Sequence, residues 1–436
     1  MPERLSARLL PAWVDPVAVF RSLEAAHADV FWLDAGADAR TGWSFIGRGT
    51  AAELPSNVRL DVAPPDARLP PFAGGWVGWL DYESGARAVG APVFRTDEAG
   101  SWLRATHVVA FDHAARQSWV LADADDLEAW TSVVATMPIP APGFPPVHTG
   151  APLIAEARHD PEEYAGLIQR CRELIRAGIA YQLCLTTRFS VPGEHDPLLV
   201  YLRLRAATPA HHGGFVRIGQ RVLLSASPEQ FLHAEGGVIR TRPIKGTRPR
   251  SVDPVEDAAL AAELAVNSKE RAENVMIVDL MRNDLSRVCV PGTIRVDGLW
   301  VVESYPAVHQ LVSTVSGSVA AGMTVGSLLE AAFPAGSMTG APKLSAMTRL
   351  HDLEGGPRGI YAGCFGYVGI DGSLDLAMVI RSIVIDADAA VVGAGGGITW
   401  GSDPSAEVAE VATKARAPLA ALGAVLPVRW GSDILN

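Results

Sequence analysis

The sequence predicts an α+β protein built on antiparallel or mixed β-sheets with helices between the strands, and three observations carry that reading. Two apolar runs, 364–370 and 376–385, flank an Asp371-Gly372 pair, the turn chemistry of a β-hairpin, which lays neighbouring strands antiparallel. Strand-like runs at 181–189 and 221–226 alternate with helical patterns near 257–287 and 341–351. The chain has 436 residues, 48% of them hydrophobic, which is ample for a large core in one body or in two to three units.

Taken in chain order, residues 1–137 hold short strand-like runs and Gly-rich turns, including FAGGWVGWLDY at 72–82. Residues 138–152 form a Pro-rich stretch. Proline fixes φ and lacks an N–H, so an extended connection is expected there. The region 153–425 changes character at once. Asp160-Pro161-Glu162-Glu163 reads as an N-cap, a first-turn Pro and a capping-box Glu; Tyr164, Leu167, Ile168, Cys171, Leu174 and Ile175 follow at helical spacing, and Gly178 ends the helix. A strand at 389–392 precedes Gly395-Gly396-Gly397, and a last helix starts at Pro404, capped by Asp403 or Ser402.

Composition excludes some functions. The net charge of −11 argues against nucleic acid as a partner, which needs a basic face. No apolar run reaches the length of about 18 residues that crosses a bilayer, and no secretory leader pattern opens the chain. Four cysteines without CxxC pairing read as small buried hydrophobes in a reducing compartment, so a cytoplasmic protein without membrane contact is expected.

Several segments carry chemistry. In the helix near 257–287, Glu273 shares a face with Met276, Ile277 and Leu280; a carboxylate on an apolar stripe needs either an ion-pair partner or a metal. Near the C-terminus Glu407, Glu410 and Lys414 fall on one side of a helix, as dipole complements or as metal ligands. Carboxylates on two helices suit Mg²⁺, which takes a few protein oxygens together with substrate oxygens and water. The three glycines allow backbone amides to approach an anion, or simply make a tight turn. The segment SMTGAPK at 337–343, leading into a helix with Pro342 in its first turn, also suits an anion. Lys245, between Ile244 and Gly246, is an exposed lysine or a nucleophile of lowered pKa, with Arg242 and Arg248 the candidate neighbours that lower it.

Together these segments resemble the chorismate-utilising enzymes, and among them most closely the aminodeoxychorismate synthase large subunits. The resemblance rests on YQLCLTTRF from Tyr181, SPEQFL from Ser227, TRPIKGTRPR from Thr241, KERAENVMIVDLMRNDLSRV from Lys269, FPAGSMTGAPK from Phe333 and AGGGI from Ala394, with GWSFIGRG from Gly42 and GGWVGWLDYE from Gly74 before them. It implies a large α+β body of two packed antiparallel sheets flanked by helices, with an N-terminal anthranilate synthase component I-like region at 1–137 and a chorismate-binding catalytic domain at 153–425.

The resemblance also implies roles. Glu273 and Glu410 would ligate Mg²⁺ with Glu407 in support. Tyr361, Arg381 and the Gly395 and Gly397 amides would hold the enolpyruvyl carboxylate, with Lys414, Ser337 and Thr339 completing the shell. Gln182 stands where water-adding relatives carry a basic Lys, so isochorismate and salicylate chemistry are not expected. Lys245 stands where anthranilate synthases carry Ala, and implies attack of its amine on C2 of chorismate with Glu229 as acid/base. The implied activity is conversion of chorismate and ammonia to 4-amino-4-deoxychorismate, for p-aminobenzoate and folate. Anthranilate synthase component I is the nearest alternative, and a non-catalytic ligand sensor the next.

Some positions depart from the family pattern. Cys184 replaces a common Asn, Ala35 replaces the Ser of the tryptophan-site element, and Gln310 replaces a His that His309 does not supply by proximity. Gly363-Cys364-Phe365-Gly366 lacks the His-Gln of a glutaminase elbow, so ammonia is expected from a glutamine amidotransferase subunit and the later step from a separate lyase.

Overall fold

The computed structural model describes residues 4–62, 68–95, 100–137, 152–305 and 308–431; of the Pro-rich connection only Pro152 lies among them. Within these residues, twenty strands join through antiparallel ladders into one hydrogen-bonded network, and a separate short pair, Leu153–Ile154 with Ala424–Val425, is parallel. Strands from the two ends of the chain interleave. Val30–Asp34 runs between Trp43–Ala52 and His212–Ile218, and Gly75–Leu80 pairs with Ser101–Asp112 and Cys364–Gly369.

Three buried clusters show how the layers pack. One contains no helical residue: Phe31, Phe45, Trp79, Val108, Val216, Leu223 and Phe365 meet strand against strand. The other two pack helices on the sheet. Tyr164, Ile168, Val408, Val411 and Leu419 lie against Leu183, Phe189 and Val392 in one; Val278, Leu285, Leu328 and Met347 lie against Leu232, Val315 and Leu376 in the other. An α+β body with packed antiparallel layers and flanking helices is therefore what the chain forms. No helix among the described residues is long and apolar enough to cross a membrane. All four cysteines are free and buried.

Local signals set several boundaries. The helix Pro161–Arg176 has the expected capping box, with Asp160 accepting from Glu163 N–H at 2.9 Å and Glu163 accepting from Asp160 N–H at 2.9 Å, and Gly178 follows at φ +74°. Asp403, rather than Ser402, caps Pro404–Ala421.

Four expectations are corrected. The helix near 257–287 is two helices, Pro254–Val266 and Ser268–Ser286, because Asn267 adopts extended ψ and caps the second through Glu270 N–H. Pro342 precedes Lys343–Glu354 in extended conformation, outside its first turn. The run 376–385 breaks into Leu374–Met378 and Ser382–Ile385 at Arg381, whose φ of +52° no regular strand accommodates. The glycines do not follow a strand but lie inside one, Ala389–Ile398, in register with Gln182–Pro192.

Candidate functional site

The site is organised on the strand Gln182–Pro192. It pairs with Ala389–Ile398 on one side, Gly395 opposite Thr186 and Gly397 opposite Cys184, and with Gly340–Ala341 on the other, Ala341 opposite Gln182. Side chains alternate along a strand, so Gln182 and Cys184 project on the same face. Gln182 is wholly buried, and neither atom of its amide has a hydrogen-bond partner among the described residues. Among the described residues the glycine strand beyond Val392 pairs only with this neighbour, so by the alternation of an antiparallel ladder some of its amides face away from every described strand. Gly395 leaves no room for a side chain, since a Cβ there would lie 2.5 Å from the Leu185 carbonyl oxygen. A Cβ on Gly397 would lie 2.3 Å from Gln182 Nε2 and 3.6 Å from Lys245 Nζ, and one on Gly396 would lie 3.0 Å from Glu407 Oε2. One stretch of backbone thus meets the amide, the amine and a carboxylate.

Lys245 reaches this point through an irregularity. Its strand, Ile244–Pro249, pairs with Val308–Ser318, but the register slips between Ile244 and Thr247, where Gly246 takes φ +79°. Such a bulge re-aims a side chain out of the ladder alternation. The expected cause of a lowered Lys245 pKa is overturned. Arg242 pairs with Glu303, and Arg248 with Glu263 at 2.7 Å and Glu270 at 3.6 Å. Burial does pull the Lys245 amine down, but the charges of Glu273, Cys184, Glu229 and Glu410 outweigh it and leave the amine raised. Glu229 is buried beside it, and burial raises its carboxyl; Lys245, the Ser337 hydroxyl and the Ile244 N–H oppose that rise by favouring the charged form.

The carboxylates come from two helices, Ser268–Ser286 and Pro404–Ala421. Glu273 and Glu407 expose only 12% and 6% of their side chains, whereas Glu410 is half-exposed. Burial raises Glu273 and Glu407, and each is raised further by a neighbouring glutamate. Glu410 is lowered: burial works against its charge, but Lys414 at 2.7 Å, Lys269 and Lys245 prevail. Lys269 Nζ sits 3.9 Å from Glu273 and 3.8 Å from Glu407, and the Ser402 hydroxyl donates to Glu407 at 2.8 Å. Among the described residues no three acidic, imidazole or thiol groups stand together closely enough to hold a metal ion by themselves. Carboxylate oxygens are the donor type of a hard divalent ion that takes part of its shell from a ligand and water; the cation that lies between Glu273 and Glu407 here is Lys269. Glu273, Glu407 and Glu410 are the residues that could hold such an ion.

The remaining expected residues surround this centre. Lys414 Nζ donates to Gly395 O at 2.7 Å, tying the last helix to the glycine strand. Tyr361 packs its ring on Gly393, where a Cβ would come within 2.1 Å, and lies beside Arg381. Burial lowers Arg381, which Tyr361 and Glu410 partly offset. Its left-handed backbone is a strained conformation for a non-glycine residue, of the kind retained where a side chain must be aimed. Ser337 lies in the 3₁₀ turn Gly336–Met338. Thr339 is fully buried and donates its hydroxyl to Ala335 O at 3.1 Å, so only its acceptor capacity remains. Lys343 does not join the anion-binding segment; it pairs with Asp284 at 2.8 Å.

Sequence reasoning missed the supports. Asn274, wholly buried, accepts from Ser313 Oγ at 2.5 Å and donates to Pro243 O at 3.4 Å, fixing the Glu273 helix against the segment that carries Lys245. Its one signal was a polar residue beside Glu273 at the start of an apolar run. Arg358 and Glu354 form a buried pair four residues apart, a spacing visible in sequence but common on exposed helices. His309 is buried between Asp257 and Ser304 and takes no part in the site. Cys364 is buried in a strand, and burial drives its thiol up, which suits packing rather than nucleophilic attack. A small cavity of about 50 Å³ lined by Asp34, Trp43, His212, Tyr367 and Asp375 lies elsewhere.

The description "chorismate binding enzyme" belongs to the family model that matches residues 15–420. The chain is 38% identical to an aminodeoxychorismate synthase of Streptomyces pristinaespiralis over 96% of its own length, and spans 65% of that relative. It is 40% identical to anthranilate synthase component 1 of Streptomyces coelicolor, over 94% of this chain and 86% of that one. The crystal structure of anthranilate synthase component I from Streptococcus pneumoniae superposes with a TM-score of 0.74 at 28% identity, covering 96% of this chain and 93% of that chain. With its strand pairing, its glycine strand and a family match over nearly its whole length, the chain belongs to the chorismate-binding enzymes.

Proposed function

We propose that this protein binds chorismate with Mg²⁺ and, supplied with ammonia, forms 4-amino-4-deoxychorismate. The observation that carries the proposal is the meeting of Lys245 and Gln182 at the glycine strand, an amine and an unpartnered amide, with the buried acid Glu229 in the electrostatic reach of the amine. Glu273 and Glu410 hold the metal with Glu407 in support, and the metal supplies Lewis-acid stabilisation of negative charge when bound. Lys245 gives its proton to the Glu229 carboxylate, and its nitrogen forms a bond to C2; the ring double bonds shift, and the C4 hydroxyl leaves as water with that proton delivered by Glu229. Ammonia then bonds to C4 as the C2–nitrogen bond breaks and the double bonds return, releasing Lys245, which takes back a proton from the new ammonium group. The net change is chorismate plus ammonia to the 4-amino product plus water. Tyr361, Arg381, Lys414 and the free amides of the glycine strand orient the substrate carboxylates, and Gln182 gives no strong base for adding water. Ammonia comes from a glutamine amidotransferase partner, and a separate lyase converts the product to p-aminobenzoate for folate, in a cytoplasm whose reducing conditions suit four free thiols.

Anthranilate synthesis is the second reading, favoured by the likeness to the Streptomyces coelicolor protein. Lys245 separates the two. Incubation with chorismate, Mg²⁺ and ammonium salt, with the product identified by mass and fluorescence, should give the 4-amino compound from the wild type. A chorismate-derived adduct should be trapped on the peptide containing Lys245. Lys245→Ala should lose that product and leak toward a 2-amino compound or anthranilate. Undiminished 4-amino product from Lys245→Ala rules out the nucleophile role, anthranilate from the wild type establishes the second reading, and no turnover at all favours a ligand sensor.

A further inference from the structure

The chain carries its positive charge mostly on arginine: of 37 lysines and arginines, four are lysines, Lys245, Lys269, Lys343 and Lys414. Lys245 meets the glycine strand, Lys414 binds Glu410 and the Gly395 carbonyl at 2.7 Å each, and Lys343 binds Asp284 at 2.8 Å. Lys269 is held differently. Its amine lies between two carboxylates from different helices, 3.9 Å from Glu273 and 3.8 Å from Glu407. Both distances exceed the roughly 2.7–3.2 Å of an N–H···O hydrogen bond, so attraction of charge holds it there without a directional bond. A cation that the fold retains looks otherwise. Arg358, buried, donates to the two oxygens of Glu354 at 2.8 and 2.7 Å and to the Cys184 and Met338 carbonyls at 2.8 and 2.6 Å, and lies 4.2 Å over the Tyr82 ring. The Lys269 side chain is 56% exposed.

The two carboxylates have supports of their own. Ser402, buried in the turn between the glycine strand and the last helix, donates to Glu407 Oε1 at 2.8 Å and accepts the Thr399 N–H at 3.1 Å. The other Glu407 oxygen faces Gly396, where a Cβ would come within 3.0 Å of it. Glu273 departs from a helix that Asn274 anchors to Ser313 and Pro243. Lys269 stands in the first turn of that helix, two residues after its Asn267 cap. Its amine can therefore withdraw into solvent while the carboxylates stay in place. A divalent ion is drawn to the pair more strongly than an ammonium, because Coulomb energy scales with charge, and once it has neutralised them it repels the ammonium beside it.

We propose that Lys269 is the resident counter-ion of the Glu273–Glu407 cleft: it balances the two carboxylates in the metal-free protein, gives way to the divalent cation, and so sets the affinity of the site for that cation. This rests on the metal-binding role proposed for Glu273 and Glu407. Lysine suits the task, since its ammonium is a compact, strongly hydrated point charge on a flexible stem. An arginine fork would grip the carboxylates and resist displacement.

The test measures Mn²⁺ binding to the chorismate-free protein by electron paramagnetic resonance, in the wild type, Lys269→Met and Lys269→Arg. Lys269→Met should bind Mn²⁺ about fivefold or more tighter than the wild type, and Lys269→Arg more weakly. Metal-free Lys269→Met should also melt below the wild type, and saturating Mn²⁺ should raise its melting temperature by more. Equal or weaker Mn²⁺ binding by Lys269→Met overturns the proposal. If that variant does not fold, Lys269→Gln takes its place with the same expected order. Glu273→Gln separates this failure from that of the metal reading, since it should weaken Mn²⁺ binding about tenfold or more in both the wild type and Lys269→Met. Mn²⁺ affinity indifferent to Glu273→Gln in both backgrounds, or no Mn²⁺ binding in either, refutes the metal reading and this proposal with it.

Discussion

Two charged regions lie on either side of the glycine-strand site and are built on opposite principles. Around Arg358, one carboxylate, a ring and two carbonyls match the guanidinium, and a second carboxylate, Glu83, holds the backbone N–H of the same residue. In the cleft between the two carboxylate helices, Glu273 and Glu407 are largely buried and share one half-exposed Lys269 at a distance of nearly 4 Å. The first arrangement satisfies its charges within the fold. The second leaves negative charge short of partners, and the Gln182 amide nearby has none. A buried group left unsatisfied costs stability unless a ligand completes it. The difference separates residues that hold the site from residues that await something in it.

The contrast breaks most visibly at Arg358. Arg358→Met leaves Glu354 buried without its partner and should cost about 3–5 kcal/mol, the usual consequence of removing one side of a buried pair. Thermal or urea unfolding measures this, and a loss below about 1 kcal/mol would show the clasp to be dispensable. Across the site, Glu273→Gln or Glu410→Gln should leave folding intact while reducing turnover on the order of 10²-fold or more and weakening Mg²⁺-dependent chorismate binding. Near-normal rates at ordinary Mg²⁺ concentration in either variant would remove that glutamate from the metal site.

Smaller effects sharpen the distinction. Gln182→Leu replaces an unpartnered amide by an apolar group of similar size, so the ligand-free protein should gain about 1 kcal/mol even as turnover falls at least tenfold. A destabilised variant would mean that the amide has a partner in the empty site after all. Glu407→Gln follows the same logic through pH. Burial raises the Glu407 carboxyl above its ordinary value of 4.5, so its contribution to stability is full below that value and is lost as the pH rises through the raised one. At neutral pH the metal-free variant should therefore melt higher than the wild type, by roughly 2 °C, and the gap should close on acidification. A lower melting temperature at neutral pH would contradict the cause assigned to the shift.

Much of the architecture was legible in short-range chemistry. The Asp160 capping box, the Asp403 cap with Pro404, the Asp371-Gly372 turn and the apolar spacing of 164–175 each specify their element locally, because cap and turn hydrogen bonds close within a few residues. The resemblance that rests on the motifs groups Glu273, Glu407, Glu410, Lys245 and the glycines in one site; in the fold Glu407 and Lys245 come close to the glycine strand, and Lys269 lies near both Glu407 and Glu273. What went wrong was also local in kind. The break at Asn267 and the division at Arg381 depend on a cap and a left-handed residue that apolar periodicity does not register.

By itself, then, the sequence determined the class of fold, the helix starts at Pro161 and Pro404 and the inventory of groups that chemistry could use, since these follow from the intrinsic preferences of neighbouring residues. Only the tertiary structure decided how those groups act on one another. Arg242 and Arg248, adjacent to Lys245 in the chain, turn away to glutamates, while Glu273 and Glu410, distant in sequence, set its charge. Ladder register and helix packing fix which side chains come within a few ångströms, and electrostatic influence falls with distance in space rather than along the chain.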